Sequence, residues 1–175
     1  TYRLDWDKRS WHPEFVHYRK GAQPGMNFLR TPGRSWSYRD RVFHANYDYW
    51  TSRYLVLYER LPDGRIVPLA AAGQAAYSEG HTVTGIALWS DERFAPRRGG
   101  RDVKDLNFVW SDLNRDGDQQ PEEVHFFPTP AAGKEHIPWE ALWSMWIARD
   151  GSFILSGRGT GDRQLVWALS PSRWL

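Results

Sequence analysis

The chain has 175 residues and a formal net charge of +2, with 23 Lys and Arg against 21 acids, a balance that argues against a dedicated nucleic-acid binder. Its 41% hydrophobic, 25% charged and 15% aromatic residues suit one folded domain with a real core and exclude disorder over the whole length. There is no Cys, which excludes thiol catalysis, iron–sulfur clusters, thiolate zinc and disulfides, and no run of about 18 apolar residues, so no transmembrane helix is expected.

In chain order, residues 1–40 form an irregular, loop-rich entry segment. Within it Tyr2, Leu4 and Trp6 alternate with charged residues at strand period, and residues 21–35 carry five Gly or Pro and are expected as loop. Residues 41–49 suit a short extended segment. A hairpin follows: residues 53–59 are rich in strand formers, Leu61-Pro62-Asp63-Gly64 supplies the turn, and residues 65–69 return, with Pro68 pointing to an edge position. Residues 82–89 are a further candidate strand, and 91–105 a polar loop. Residues 106–110 and 123–127 are expected strands, the second ended by Pro128. Residues 143–148 and 153–156 flank a second Asp-Gly turn at Asp150-Gly151, and 165–169 form the last strand. Trp139, Trp143 and Trp146 also stand at helical spacing, which leaves a short helix over 139–146 open.

Many short strands joined by Asp-Gly turns predict an all-β fold. The paired-strand units favour a partial β-propeller of about three to four antiparallel blades, since a blade takes about 40–50 residues. The reading is of a single propeller-like domain over 1–175. The start TYRLDWDK and the end SPSRWL suggest a fragment of a longer chain. Eleven Trp are unusually many; most are expected in the core, although exposed indoles would suit stacking against sugars.

One motif carries specific chemistry. Residues 112–123, DLNRDGDQQPEE, satisfy D-x-[DN]-x-[DN]-G-x5-E at Asp112, Asn114, Asp116, Gly117 and Glu123. Ca²⁺ is a hard cation that takes six to eight oxygens, and alternate residues of a tight loop converge on one point. Gly117 would supply the sharp turn, Asp118 a backbone carbonyl, Gln120 a contact through water, and Glu123 a closing bidentate carboxylate. Asp112, Asp116, Asp118 and Glu123 place four negative charges in twelve residues, with Arg115 the only base among them. The flanking segments are strand-like rather than helical. Polar Gln119 and Pro121 also depart from a paired EF-hand. The loop is therefore expected to be a structural Ca²⁺ site in a β-protein, not a sensor.

The segment FVWSDLNRDGDQQPEEVHFF resembles the calcium loop of large secreted bacterial β-propeller proteins, loosely of the NHL type, in which an aromatic strand leads into D-x-N-x-D-G-x-x-x-P-E-E and a second strand follows. YLVLYERLPDGRIVPLAAAG and WSMWIARDGSFIL resemble propeller strand pairs. It differs from the VCBS/FG-GAP propeller loop, where an acid follows three residues after the glycine; that position here is Gln120, and Glu123 takes over. The resemblance implies an extracellular or periplasmic location and a Ca²⁺ held by Asp112, Asn114, Asp116, Asp118 and Glu123. The chain is then expected to be a calcium-stabilised, non-catalytic propeller segment of a secreted binding or structural protein. Its partners would be a glycan or protein, the rest of a longer chain, or a second copy through sheet edges.

The alternative is part of a carbohydrate-active enzyme, a lyase or hydrolase, that uses Trp platforms for sugars. A quinone-bearing propeller ranks last, because no Trp-docking repeat is visible. No catalytic residues are assigned: the six His show no zinc spacing, no G-x-S-x-G elbow occurs, and Gly157, Gly159 and Gly161 do not complete a nucleotide-binding loop. Arg93, Arg97, Arg98, Arg101 and Lys104 share a segment with four acids, which cancels most of their field.

Overall fold

The computed structural model describes residues 2–13, 34–46, 54–79, 82–85, 87–116, 118–128, 145–158 and 164–169. Alternating residues at the start of the chain form a hairpin, β1 (Tyr2–Asp5) with β2 (Ser10–Pro13), paired Leu4 to Trp11. The main sheet then begins with β3 (Arg34–Tyr38), β4 (Arg41–Asn46), β5 (Tyr54–Arg60) and β6 (Ile66–Gln74), a consecutive antiparallel meander. A small hairpin of β7 (Ala76–Glu79) and β8 (Thr82–Gly85) leads into a helical excursion with α1 (Ala87–Ser90) and α2 (Ala95–Arg98). The chain returns as β9 (Leu106–Ser111) beside β6 and finishes the sheet with β10 (Val124–Pro128). The order is β10-β9-β6-β5-β4-β3, all antiparallel. A separate three-stranded sheet holds β11 (Met145–Ile147), β12 (Phe153–Arg158) and β13 (Gln164–Leu169). The fold of the described residues is all-β.

Both faces of the large sheet are buried, which explains why its strands are apolar on both sides rather than cleanly alternating. On one face Val56, Tyr58, Phe108, Trp110 and Phe126 pack beneath Trp89 and Phe94 of the helical excursion. Trp89 lies 5.1 Å from Phe94, 4.8 Å from Phe108 and 5.5 Å from Phe126, with edge-on geometry to Phe94 and Phe126. On the other face Trp36, Phe43, Leu55, Leu57 and Leu69 meet Ile147 of β11 and Phe153 of β12. Trp36 Nε1 donates to the Arg149 carbonyl at 2.8 Å, tying the two sheets together.

The two expected Asp-Gly hairpins use one device. Gly64 (φ 87°) and Gly151 (φ 83°) take the left-handed conformation that a Cβ disfavours. Asp63 and Asp150 each accept the N–H two residues on, from Arg65 and Ser152 at 3.0 Å.

Several expectations are corrected. The entry segment is not wholly irregular: it holds β1, β2 and β3, and Trp36 between Ser35 and Ser37 supplies the period-2 signal for β3. Residues 82–89 are strand only to Gly85, and Trp89 is helical. Residues 91–105 are short helical turns pinned by the buried Phe94, with Asp91 and Asp102 capping the turns that follow them. There Arg93 pairs with Asp91 and Lys104 with Asp102. Pro68 lies in an interior strand, not at an edge. It escapes the usual penalty because β9 pairs only with Ala70–Gln74, and because a bulge falls beside it. Trp146 sits in β11, while residues 139–144 of the candidate helix lie outside the described residues. Gly159 and Gly161 lie outside them too.

Candidate metal centre

The loop 112–123 joins β9 to β10, and three contacts fix its base. At the β5–β6 bulge Leu57 faces Ala70 while Tyr58 faces Pro68, so Leu69 is the extra residue, and its carbonyl accepts the Asp112 N–H at 2.9 Å. The Trp110 indole, fully buried, donates Nε1–H to Glu123 Oε2 at 3.2 Å. Arg115 Nη1 lies 3.9 Å from Glu59 Oε2, the carboxylate that Arg41 grips through Nε at 2.6 Å and Nη2 at 2.7 Å.

Within the loop, side-chain carboxylates and amides fold the backbone. Asp112 Oδ1 accepts the Asp116 N–H at 3.2 Å, and Asn114 Oδ1 accepts the same N–H at 3.0 Å. Asp116 Oδ1 accepts the Asp118 N–H at 2.7 Å, while its Oδ2 accepts from Asn114 Nδ2 at 3.0 Å and Gln120 Nε2 at 2.7 Å. These Asx-type turns are why Asp and Asn recur at alternate positions. Arg115, between them, has φ 62°. Gly117, the expected turn glycine, lies outside the described residues.

Asp112, Asn114, Asp116 and Asp118 are thus brought together around Asp116. Glu123 faces another way. It is 7% exposed, and its oxygens accept three N–H groups: Leu113 at 2.9 Å on Oε1, with Gln120 and Trp110, each at 3.2 Å, on Oε2. Two donors fill the lone pairs of Oε2, so in this arrangement only Oε1 retains coordinating capacity. Among the described residues no group of three or more His, Asp or Glu is placed to hold a metal. The carboxylates lie in one loop without converging on one point.

One further residue matters to the loop and has only a faint sequence signal: Trp110, two positions before Asp112. Gln120, expected to reach the ion through water, spends its amide nitrogen on Asp116. Its side-chain oxygen faces the Glu123 N–H in a capping-box arrangement, and that N–H also meets the Gln120 carbonyl at 3.1 Å.

No protein-family model matches this chain, and no curated protein or solved structure matches it either.

Proposed function

We propose that residues 112–123 bind one Ca²⁺ and that the chain is a calcium-stabilised, non-catalytic segment of a secreted β-propeller protein with a binding or structural role. The observation that carries this reading is the folding of Asp112, Asn114, Asp116 and Asp118 around the Asp116 carboxylate, with the Gln120 amide held on Asp116 Oδ2. A hard cation would draw their oxygens, and Gln120 Oε1 directly or through water, onto one point. Arg115 Nη1 lies 3.9 Å from Glu59 Oε2, a carboxylate outside the loop. Glu123 would contribute at most one oxygen unless it releases a backbone N–H.

The architecture fits the same reading. The consecutive meander β3-β4-β5-β6 has the connectivity of a blade, β9 and β10 extend that sheet to six strands around the acidic loop, and Ile147 of β11 and Phe153 of β12 pack on its face. Calorimetric titration of chelator-stripped protein is expected to give one site, lost in Asp112→Ala and Asp116→Ala. At a free Ca²⁺ of about 100 Kd the fold would gain about 2.7 kcal/mol, seen as a higher Tm. No heat and no Tm shift at millimolar Ca²⁺ would reduce the loop to an acidic turn.

The enzyme alternative keeps one point in its favour, the exposure of Trp6, Trp11 and Trp146 at 81%, 64% and 50%, whereas Trp36, Trp89 and Trp110 are buried. That exposure bears on what the chain binds.

A further inference from the structure

Arg34 opens β3 with its guanidinium between two indoles. Its central carbon is 4.2 Å from the Trp146 ring centroid and 5.7 Å from that of Trp36. Aromatic faces hold a guanidinium by cation–π attraction and leave its N–H edge for a planar acceptor. Yet Arg34 Nη1 is buried without any hydrogen-bond partner, and no described carboxylate pairs with this arginine. By contrast Arg41, on the neighbouring strand, is fully engaged by Glu59. Arg149 is exposed in the β11–β12 turn, where its carbonyl accepts from Trp36 Nε1. Asp150 is the acid of that turn, and its Oδ1 is occupied by the Ser152 N–H.

We propose that Arg34, Trp146 and Arg149 form a recognition point for a uronate, the carboxylate-bearing sugar of an acidic glycan. A carboxylate matches the two-pronged guanidinium edge. The half-exposed Trp146 ring offers an apolar surface to the C–H groups of the pyranose, and Arg149 adds a second positive charge at the rim. Nη1 is covered, so a carboxylate that reaches it must displace what packs over it, and the Trp146 indole 4.2 Å from the guanidinium would report the change. The inference supplies a ligand class for the binding role proposed above and rests on that reading only there; no contact in it involves the calcium loop.

The test is calorimetric titration with trigalacturonate and with its methyl ester at low salt, run once in EDTA and once in calcium. The expected result is saturable binding of the acid in at least one condition, at least about tenfold weaker binding of the ester, and about tenfold losses in Arg34→Gln and Trp146→Ala. Arg149→Gln should weaken binding less. Circular dichroism and Tm of each variant separate lost contact from lost fold. If Arg34→Gln unfolds, the exposed positions Trp146 and Arg149 carry the test. Absent binding in both conditions, equal binding of acid and ester, or variants that bind as the parent does would overturn the proposal. So would a triglutamate peptide that binds as well as trigalacturonate, since the site would then read carboxylates without reading sugar. Failure here leaves the Ca²⁺ titration untouched, and the reverse holds too.

Discussion

Glu123 stands where the sequence pattern puts a metal ligand, and its carboxylate serves as an internal hub for three N–H donors. Truncation in Glu123→Ala leaves Leu113 N, Gln120 N and Trp110 Nε1 without their acceptor. It should cost about 2–4 kcal/mol in urea unfolding followed by Trp fluorescence, with or without calcium. A loss seen only in calcium would mean that the carboxylate acts through the ion alone. Arg115 makes the opposite case. Its φ of 62° is disfavoured for a residue with a Cβ, and its pairing with Glu59 is long at 3.9 Å with the Arg115 side chain 59% exposed. Arg115→Gly should therefore hold or raise stability by up to about 1 kcal/mol, whereas Arg115→Val should lower it. Asp63 carries a pH signature. Hydrogen bonds from the Arg65 N–H and then the Arg65 side chain hold its carboxyl below the usual value of 3.8. A lowered folded value contributes stability that is present above the unfolded value and lost as pH falls through the folded one. The parent should therefore lose more stability than Asp63→Asn on acidification from about pH 5 to below 3.8, a difference measurable by Tm against pH.

At the scale of elements, the link between the two sheets is narrow and specific. Ile147 and Phe153 bury against the large sheet, and one side-chain hydrogen bond, Trp36 Nε1 to the Arg149 carbonyl, sets the height of the turn. Trp36→Phe keeps most of the apolar contact and removes that bond. It should cost about 1 kcal/mol or somewhat more, and should raise amide exchange at Gly151 and Ser152 before it affects β5. The same scale shows what the sequence made legible. Asp-Gly turns, the strands of 54–60 and 106–111, and the loop pattern at 112–123 are written in local chemistry: turn residues, β-formers and alternating Asp and Asn. The inward orientation of Glu123 is not, because it depends on Trp110 reaching back across the hairpin. Ala70, Ala71 and Ala72 have weak strand propensity, yet they lie fully buried in an interior strand, Ala71 in one core and Ala70 and Ala72 in the other. The helical excursion was hidden by its charges; two buried aromatics, Trp89 and Phe94, decide its place.

Over the whole molecule, protection should be graded. β5 and β6 are interior strands with both faces covered, and their amides should exchange last, at rates near global unfolding. Among the described residues the β1–β2 hairpin pairs only within itself, and it exposes Leu4, Trp6 and Trp11, so its amides should exchange first. Native-state hydrogen exchange would show this order, and equal protection of the two regions would mean that the hairpin is held by contacts beyond those described. β3 and β10 end the large sheet. Their free edges could be managed by pairing within a longer chain or between copies, which a concentration series by analytical ultracentrifugation would detect.

Leu69 is a residue that the ladder can do without. Remove it, and Pro68 and Ala70 become neighbours facing Tyr58 and Leu57, the partners they already have. The strand would close over the gap with its faces unchanged. What disappears is the carbonyl that holds the Asp112 N–H, together with one apolar side chain of the core. A deletion of Leu69 should therefore spare the β circular-dichroism signature while loosening the threshold of the acidic loop. The bulge is a hinge-pin set in the wall of the sheet, and the loop hangs from it.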